Sequence, residues 1–153
     1  MNNLILKIIA ITIFGAIHLS LSAQSDEDMI KKMLKTYNTA IQDLNLDNTS
    51  SLFSEDSQVF ESGGVEGNYE HYLKHHLTPE LNEFESFKFS DYKIKVQVDL
   101  PYAFTTETYN YTIVVKEGNK VSNSKGVATS ILRKQDNEWK IIKTHTSARK
   151  WQP

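Results

Sequence analysis

The apolar residues of this chain change their spacing once, and that change fixes the order in which helices and strands follow one another. Over residues 27–46 they recur at three- and four-residue steps, which predicts an amphipathic helix with a period of about 3.6 residues. From Phe87 onwards they alternate with polar residues, in runs that short turn sequences separate. The pattern predicts helices first and an antiparallel meander second, which is the α+β class. One face of such a sheet needs a cover, and only the leading helices can supply it.

The segment between these two regions carries shorter signals. A helical turn is predicted over 49–53 and a strand over 57–62, where a glycine pair marks a turn. A further helix is predicted over 67–77. Proline after Thr78 then fits the first turn of a kinked or restarted helix over 78–84.

The first residues form a targeting segment rather than part of the predicted fold. Lys7 gives a short basic start, residues 8–21 are mostly apolar, and Leu21-Ser22-Ala23 offers small residues for cleavage. A single membrane anchor is the alternative, but the apolar run is shorter than the roughly 20 residues that span a bilayer. The sequence therefore predicts a signal peptide over 1–23 and a mature domain over 24–153. We expect a secreted or periplasmic protein with no membrane contact after cleavage.

Charge and composition restrict the class of partner. The net charge is −2 at pH 7, from 17 basic and 19 acidic residues, so the chain has no basic excess for binding nucleic acid. It contains no cysteine, which excludes disulfides and thiol chemistry. No tight ligand motif for a metal is present, and no cofactor is predicted. A small-molecule ligand is the expected partner.

Several stretches occur in an order and spacing that are specific for one fold. They are the opening helix with Tyr37 and Leu44-Asn45-Leu46-Asp47, the turn Ser50-Ser51-Leu52-Phe53, the strand Glu55-Asp56-Ser57-Gln58-Val59-Phe60, and the ending Ser130-Ile131-Leu132-Arg133, Trp139-Lys140-Ile141-Ile142 and His145-Thr146-Ser147. Together they resemble the nuclear transport factor 2-like superfamily, in its SnoaL-like and ketosteroid isomerase-like branch, over roughly residues 28–150. The resemblance implies a cone-shaped domain in which a curved antiparallel sheet wraps on N-terminal helices and encloses a pocket. Such domains serve as isomerases, cyclases, dehydratases, binding modules and dimerisation units, so the fold alone does not give a function.

The resemblance also implies roles for three residues. Tyr37 matches the tyrosine that donates a hydrogen bond to an oxyanion in the isomerases, and Glu61 matches the carboxylate that acts as general base. Ser130 falls where those enzymes have a protonated aspartate, and a serine is a weaker donor. The alternatives are that Tyr37 is a core residue with its hydroxyl at the pocket edge and that Glu61 is a solvated turn residue.

Three histidines fall within one predicted helix. His71 and His75 are four residues apart, a spacing that helical zinc ligands use. The apolar stripe of this helix, however, contains His76 and lies away from the other two. We therefore expect His71 and His75 to face solvent and His76 to face inward.

The last predicted strand contributes His145. With a period of two, it shares a face with Trp139 and Ile141. In family members with this ending the histidine tends to line the pocket, and the alternative is a half-exposed histidine bonded to a neighbour. If His76 and His145 meet, they could hydrogen-bond a ligand or move a proton, and a metal is the minority interpretation.

The predicted ligand contacts are His76, His145, Tyr37, Tyr72, Phe53, Trp139 and Ser130. The leading hypothesis is an exported protein that binds a small, partly apolar molecule. The second is a SnoaL-like isomerase, cyclase or dehydratase with Glu61 or His145 as general base and Tyr37 as oxyanion donor. The third is a structural homodimer, in which the strand over 102–115 supplies part of the contact surface.

Overall fold

The leading helix and the strands occur in the order that the change of period predicts. The computed structural model describes residues 26–151, and within them helix α1 spans 26–42. The predicted signal peptide over 1–23 lies outside the described residues. None of the described helices is long and apolar enough to cross a membrane.

The remaining elements alternate short helical turns with six strands. In chain order they are a 3₁₀ turn at Thr49–Leu52, β1 at Phe53–Glu61, β2 at Gly64–Gly67, α2 at Tyr69–Tyr72, a π-helical turn at Leu73–Leu77, α3 at Thr78–Asn82, β3 at Phe84–Asp99, β4 at Tyr102–Val115, a 3₁₀ turn at Glu117–Asn119, β5 at Val121–Gln135 and β6 at Glu138–Lys150. The helix predicted to reach residue 84 ends earlier, because Phe84 is already the first, buried residue of β3. The short strand β2 was not predicted.

One curved sheet of mixed direction forms the body of the fold. Its strand order is β2-β1-β6-β5-β4-β3. The pairs are antiparallel, as predicted, except that β1 runs parallel to β6. The sheet remains open, and the helical elements cover its inner face. This arrangement confirms the α+β prediction and the cone-shaped fold.

The segment over 69–82 is one helical rod with a wide turn in its middle. It begins at Asn68, whose side-chain oxygen accepts the backbone N–H of His71 at 2.9 Å, as a helix N-cap does. Pro79 has no N–H and its ring needs room beside the preceding turn. The π-helical turn directly before α3 gives that room, so the rod continues through the proline instead of ending there.

The apolar core lies between the helices and the inner sheet face. Its centre includes Ile30 and Leu34 of α1, Leu132 of β5 and Ile141 of β6, all buried. Tyr69 extends the core under the helical rod. Its ring stacks on Phe53 at a centroid distance of 3.6 Å, with an angle of 4° between the rings.

A bulge in β6 reverses the direction of its side chains. Ile131 pairs with Lys143 and the next residue of β5, Leu132, pairs with Ile141, so Ile142 has no partner in β5. One inserted residue moves every later side chain to the other face of the sheet. Trp139 and Ile141 therefore point inward, while His145 lies on the exposed outer face.

Candidate functional site

A cavity of about 150 Å³ lies between α1, the helical rod and the inner face of the sheet. Apolar cavities of about this volume admit one benzene-sized ring. The wall is mostly aromatic and aliphatic, with carboxylates, hydroxyls and an amide among them. The residues that define it best are Tyr37, Asn38 and Ile41 of α1, Phe53 and Glu61 of β1, Tyr72, Leu77, Glu80 and Leu81 of the rod, Phe84, Phe87 and Phe89 of β3, Glu107, Tyr109 and Tyr111 of β4, Ala128 and Ser130 of β5, and Thr144 and Thr146 of β6.

The floor of the cavity contains a row of side chains that crosses four strands. Glu107 pairs with Ala128, Ala128 with Thr146, and Thr146 with Glu61, and all four line the cavity. Adjacent strands are about 4.8 Å apart, so the two carboxylate-bearing backbones are about 14 Å apart along the sheet. Two small side chains thus separate two glutamates, and the space above the small ones is where a ring fits.

A glycine next to this row makes room for a tyrosine ring of the cavity wall. Gly126 pairs with Tyr109, and a Cβ atom at position 126 would overlap the tyrosine ring. The ring therefore lies directly over the glycine backbone, which keeps Tyr109 in the cavity wall.

Glu61 lies at the end of β1, at the edge of the cavity. Its Oε2 accepts a hydrogen bond from the Tyr72 hydroxyl at 2.7 Å and lies 3.6 Å from Nε2 of His76. Burial, followed by the nearby charge of Glu61, raises the pKa of Tyr72, so the phenol stays protonated and donates. A carboxylate oxygen that one phenol donor orients at a cavity edge can bind a ligand donor or accept a proton.

His76 bridges carboxylates at the cavity mouth and does not itself line the cavity. Its Nδ1 lies 3.2 Å from Glu66 Oε2, and its Nε2 lies 3.8 Å from Glu80 Oε2, besides the contact with Glu61. His76 was expected to face inward and to contact a ligand; its side chain is 38% exposed and contacts acidic side chains instead. His71 and His75 are exposed as expected.

Glu107 is the polar group that sequence reasoning missed. It is 4% exposed, and its Oε2 accepts hydrogen bonds from the Tyr92 hydroxyl at 2.6 Å and from Nδ2 of Asn38 at 3.2 Å. Burial raises the pKa of this carboxyl, and the two donors oppose the rise. The signal that could have found it is the alternation in β4, where Ala103 and Thr105 share its buried face.

The difference in free energy of unfolding between Glu107→Gln and the wild type should shift in favour of the variant as the pH rises. Because burial raises the folded-state pKa of Glu107, the folded protein holds more protons than the unfolded chain between the unfolded pKa of about 4.3 and the raised value. Stability therefore falls with rising pH in that window, and the glutamine variant lacks this loss. Urea unfolding of both proteins at several pH values measures the difference. A difference that stays constant with pH would contradict the burial of an ionisable Glu107.

Five of the predicted site residues do line the cavity. They are Tyr37, Glu61, Tyr72, Phe53 and Ser130. Tyr37 is partly buried, desolvation raises the pKa of its hydroxyl, and its ring lies edge-on to that of Phe53 at a centroid distance of 5.5 Å. Ser130 shares a hydrogen bond of 2.9 Å with Thr144, so its hydroxyl already has a partner.

Two predicted contacts lie elsewhere. His145 pairs with Thr129 and with Phe60 on the outer side of the bulged β6, so it does not reach the cavity or meet His76. Trp139 is buried in the core, where its Nε1 donates to Asp26 at 3.0 Å, and it does not line the cavity. Among residues 26–151 no group of three or more metal-binding side chains is arranged to hold a metal ion.

Comparisons with known proteins agree with this geometry. Residues 30–149 match the family model described as the SnoaL-like domain. Among curated proteins there is no significant match. The fold is similar to a nuclear transport factor 2-like superfamily protein from Salmonella enterica subsp. enterica serovar Typhimurium str. LT2, at 15% identity over 85% of this chain and 95% of that one, with a TM-score of 0.74.

Two further solved structures share the fold. Hexachlorocyclohexane dehydrochlorinase LinA-type3 from Novosphingobium barchaimii LL02 is 15% identical over 88% of this chain and 93% of that one, with a TM-score of 0.75. A conserved protein from Planctomyces limnophilus DSM 3776 is 18% identical over 84% of this chain and 99% of that one, with a TM-score of 0.74. At such identities the likeness is one of fold.

Proposed function

Since the chain belongs to the SnoaL-like domain family, we propose that it binds one small, partly apolar ring-shaped molecule in the cavity. The observation that carries this proposal is the floor row, in which Ala128 and Thr146 leave a ring-sized space between Glu61 and Glu107. The aromatic wall supplies apolar contact, and the two carboxylates supply polar contacts at either end. The dehydrochlorinase that shares this fold acts, by its name, on a six-membered ring.

An NMR titration with benzyl alcohol tests this proposal. We expect saturable binding to one site, with shifts of amide signals in α1, β4 and β5, the elements that surround the ring-sized space. His145→Ala is the control, because His145 is on the outer face and its removal should leave the affinity unchanged. Shifts that never saturate, or that map to the outer sheet face, would overturn the proposal.

A second candidate function is acid–base catalysis with Glu61 as general base. It is supported by the Glu61 oxygen that Tyr72 and His76 both approach, and by Tyr37 in the wall of the same cavity. His145 has no part in it. In this mechanism Glu61 takes a proton from a ring carbon next to a carbonyl, and Tyr37 donates a hydrogen bond to the resulting oxyanion.

Exchange of cyclohexanone α-protons for deuterium, followed by NMR, tests the catalytic candidate. Glu61→Gln should slow protein-catalysed exchange by about 10²- to 10⁴-fold, the usual contribution of a general base. Benzyl alcohol binding should change little, since glutamine keeps the size of the side chain. Wild-type exchange no faster than in buffer, or equal rates in the variant, would exclude this role for Glu61.

We also propose that the protein is a homodimer in solution, paired through the outer sheet face. Tyr102 and Phe104 of β4 and Val127 of β5 are exposed there, at 41%, 43% and 43% of their surface. Phe104→Lys should convert the dimer to a monomer, because an unpaired charge in an apolar contact is costly. Sedimentation velocity measures the change, with Val65→Lys on the distant β2 as control. A wild-type protein that sediments as a monomer would contradict the pairing.

We also propose that the protein is exported from the cytoplasm. The pattern of residues 1–23 supports a secreted or periplasmic protein whose mature chain begins at Gln24. The intact mass of protein recovered from outside the cytoplasm tests it, and a mass that retains residues 1–23 would contradict it.

A further inference from the structure

The charged groups that line the cavity are all acidic. They are Glu61, Glu80 and Glu107, and none of the described lining residues is a lysine, arginine or histidine. Around them the wall consists largely of aromatic rings. Cations are attracted both to the faces of aromatic rings and to ionised carboxylate oxygens, and this wall contains both groups.

Two of these carboxylates have a basic neighbour. Nε2 of His76 lies 3.6 Å from Glu61 and 3.8 Å from Glu80. Burial and the charge of Glu61 raise the pKa of Glu80, and His76 lowers it. His76 therefore lies beside the acidic cluster at the cavity mouth and can partly balance its negative charge.

Glu107 has no such balance. The groups that face it are neutral: Asn38 from α1, Tyr92 from β3, and Tyr109 two residues further along its own strand. No ion pair among residues 26–151 includes it. Both of its hydrogen bonds end on Oε2, so Oε1 is the oxygen left for a ligand.

A carboxylate buried to this degree must either take a proton or meet a cation, since an unpaired buried charge is strongly unfavourable. Burial raises the pKa of Glu107, so its ionised form is less favourable in the empty cavity than in water. A ligand with a positive group would stabilise that ionised form. The ring-sized space over Ala128 starts directly beside Glu107, because the two residues are cross-strand partners.

We propose that the molecule bound in this cavity is an amine: a one-ring apolar body with a protonated primary amino group that binds Glu107. The ammonium group donates to Oε1 of Glu107, and the ring lies over Ala128 and Thr146. The far end of the molecule points to Glu61 and Tyr72. This inference rests on the proposed function, and it names the ligand class of that site.

Calorimetric titration with benzylamine and benzyl alcohol tests the inference, because the two probes share a ring and differ in charge. At pH 7 benzylamine should bind at least about tenfold more tightly, the usual effect of a hydrogen bond to a charged group. In Glu107→Gln the affinities for benzylamine and benzyl alcohol should become similar. Glu138→Gln removes an exposed carboxylate that does not line the cavity, so it is the control and should keep the preference for the amine.

A second measurement needs no variant. As the pH rises through the pKa of Glu107, the wild type should bind benzylamine more tightly and release protons on binding, while its affinity for benzyl alcohol stays constant. Equal affinity for both probes at pH 7 would overturn the amine proposal and leave the cavity proposal standing. If neither probe binds, both proposals fall.

Discussion

Asp26→Ala should lower the free energy of unfolding by about 3–5 kcal/mol, the usual effect of removing one partner of a buried ion pair. Asp26 is 1% exposed, and its Oδ1 accepts from Lys134 Nζ at 2.6 Å and from Trp139 Nε1 at 3.0 Å. The carboxylate thus ties α1 to the β5–β6 hairpin. Its loss leaves the indole N–H and the ammonium group without their acceptor. Urea unfolding at pH 7 measures the difference.

Glu138→Ala is the matched control for this prediction. Glu138 lies on the same hairpin and pairs with Lys140 at 3.0 Å, but its side chain is 69% exposed. Exposed pairs of this kind contribute about 0–1 kcal/mol. Equal losses in the two variants would show that Asp26 does not hold the helix to the sheet.

Ala128→Trp should strongly weaken binding of the ring-shaped probe while the protein still folds. Ala128 stands in the floor row between Glu107 and Thr146, so an indole there occupies the space that a ligand ring needs. Burial of one aromatic ring contributes about 1.5–3 kcal/mol. Losing it weakens the affinity for benzyl alcohol by about 10- to 150-fold. The titration that detects wild-type binding measures the loss.

Thr129→Trp is the control for the filled cavity. Thr129 is the next residue of β5 and lies on the exposed outer face, where an indole cannot enter the cavity. Its affinity for benzyl alcohol should equal that of the wild type. If the indole at position 128 prevents folding, Ala128→Leu fills less of the space and should still weaken binding. Normal affinity in a folded Ala128 variant would place the ligand elsewhere.

The fold was predictable because its main signals are local. The period of α1 and the alternation in the later strands are readable in any window of the sequence, and they gave the α+β class. The parallel pairing of β1 with β6 is different, since it joins residues such as Glu61 and Thr146 that are far apart in the chain. No local period carries that information, and only the family resemblance implied the closed arrangement around a pocket.

The site was predictable only in part, for two physical reasons. The family resemblance implied that His145 lines the pocket, and counting in twos put it on the same face as Ile141; the bulge at Ile142 breaks that count. A bulge inserts one residue without any marked change in the sequence pattern, so alternation cannot reveal it. Glu107 was overlooked because an acidic residue between threonines reads as solvent-facing, whereas the donors that allow its burial, Asn38 and Tyr92, come from other elements.

A crystal structure of the wild type with 4-bromobenzyl alcohol tests the central claim most directly, because anomalous scattering locates the bromine without ambiguity. We predict one bromine peak inside the cavity, above Ala128 and Thr146 and between Glu61 and Glu107. The same soak of Ala128→Trp should give no peak there. A wild-type structure whose bromine peaks lie only on the outer sheet face, or are equally strong in the variant, would contradict a ligand-binding cavity.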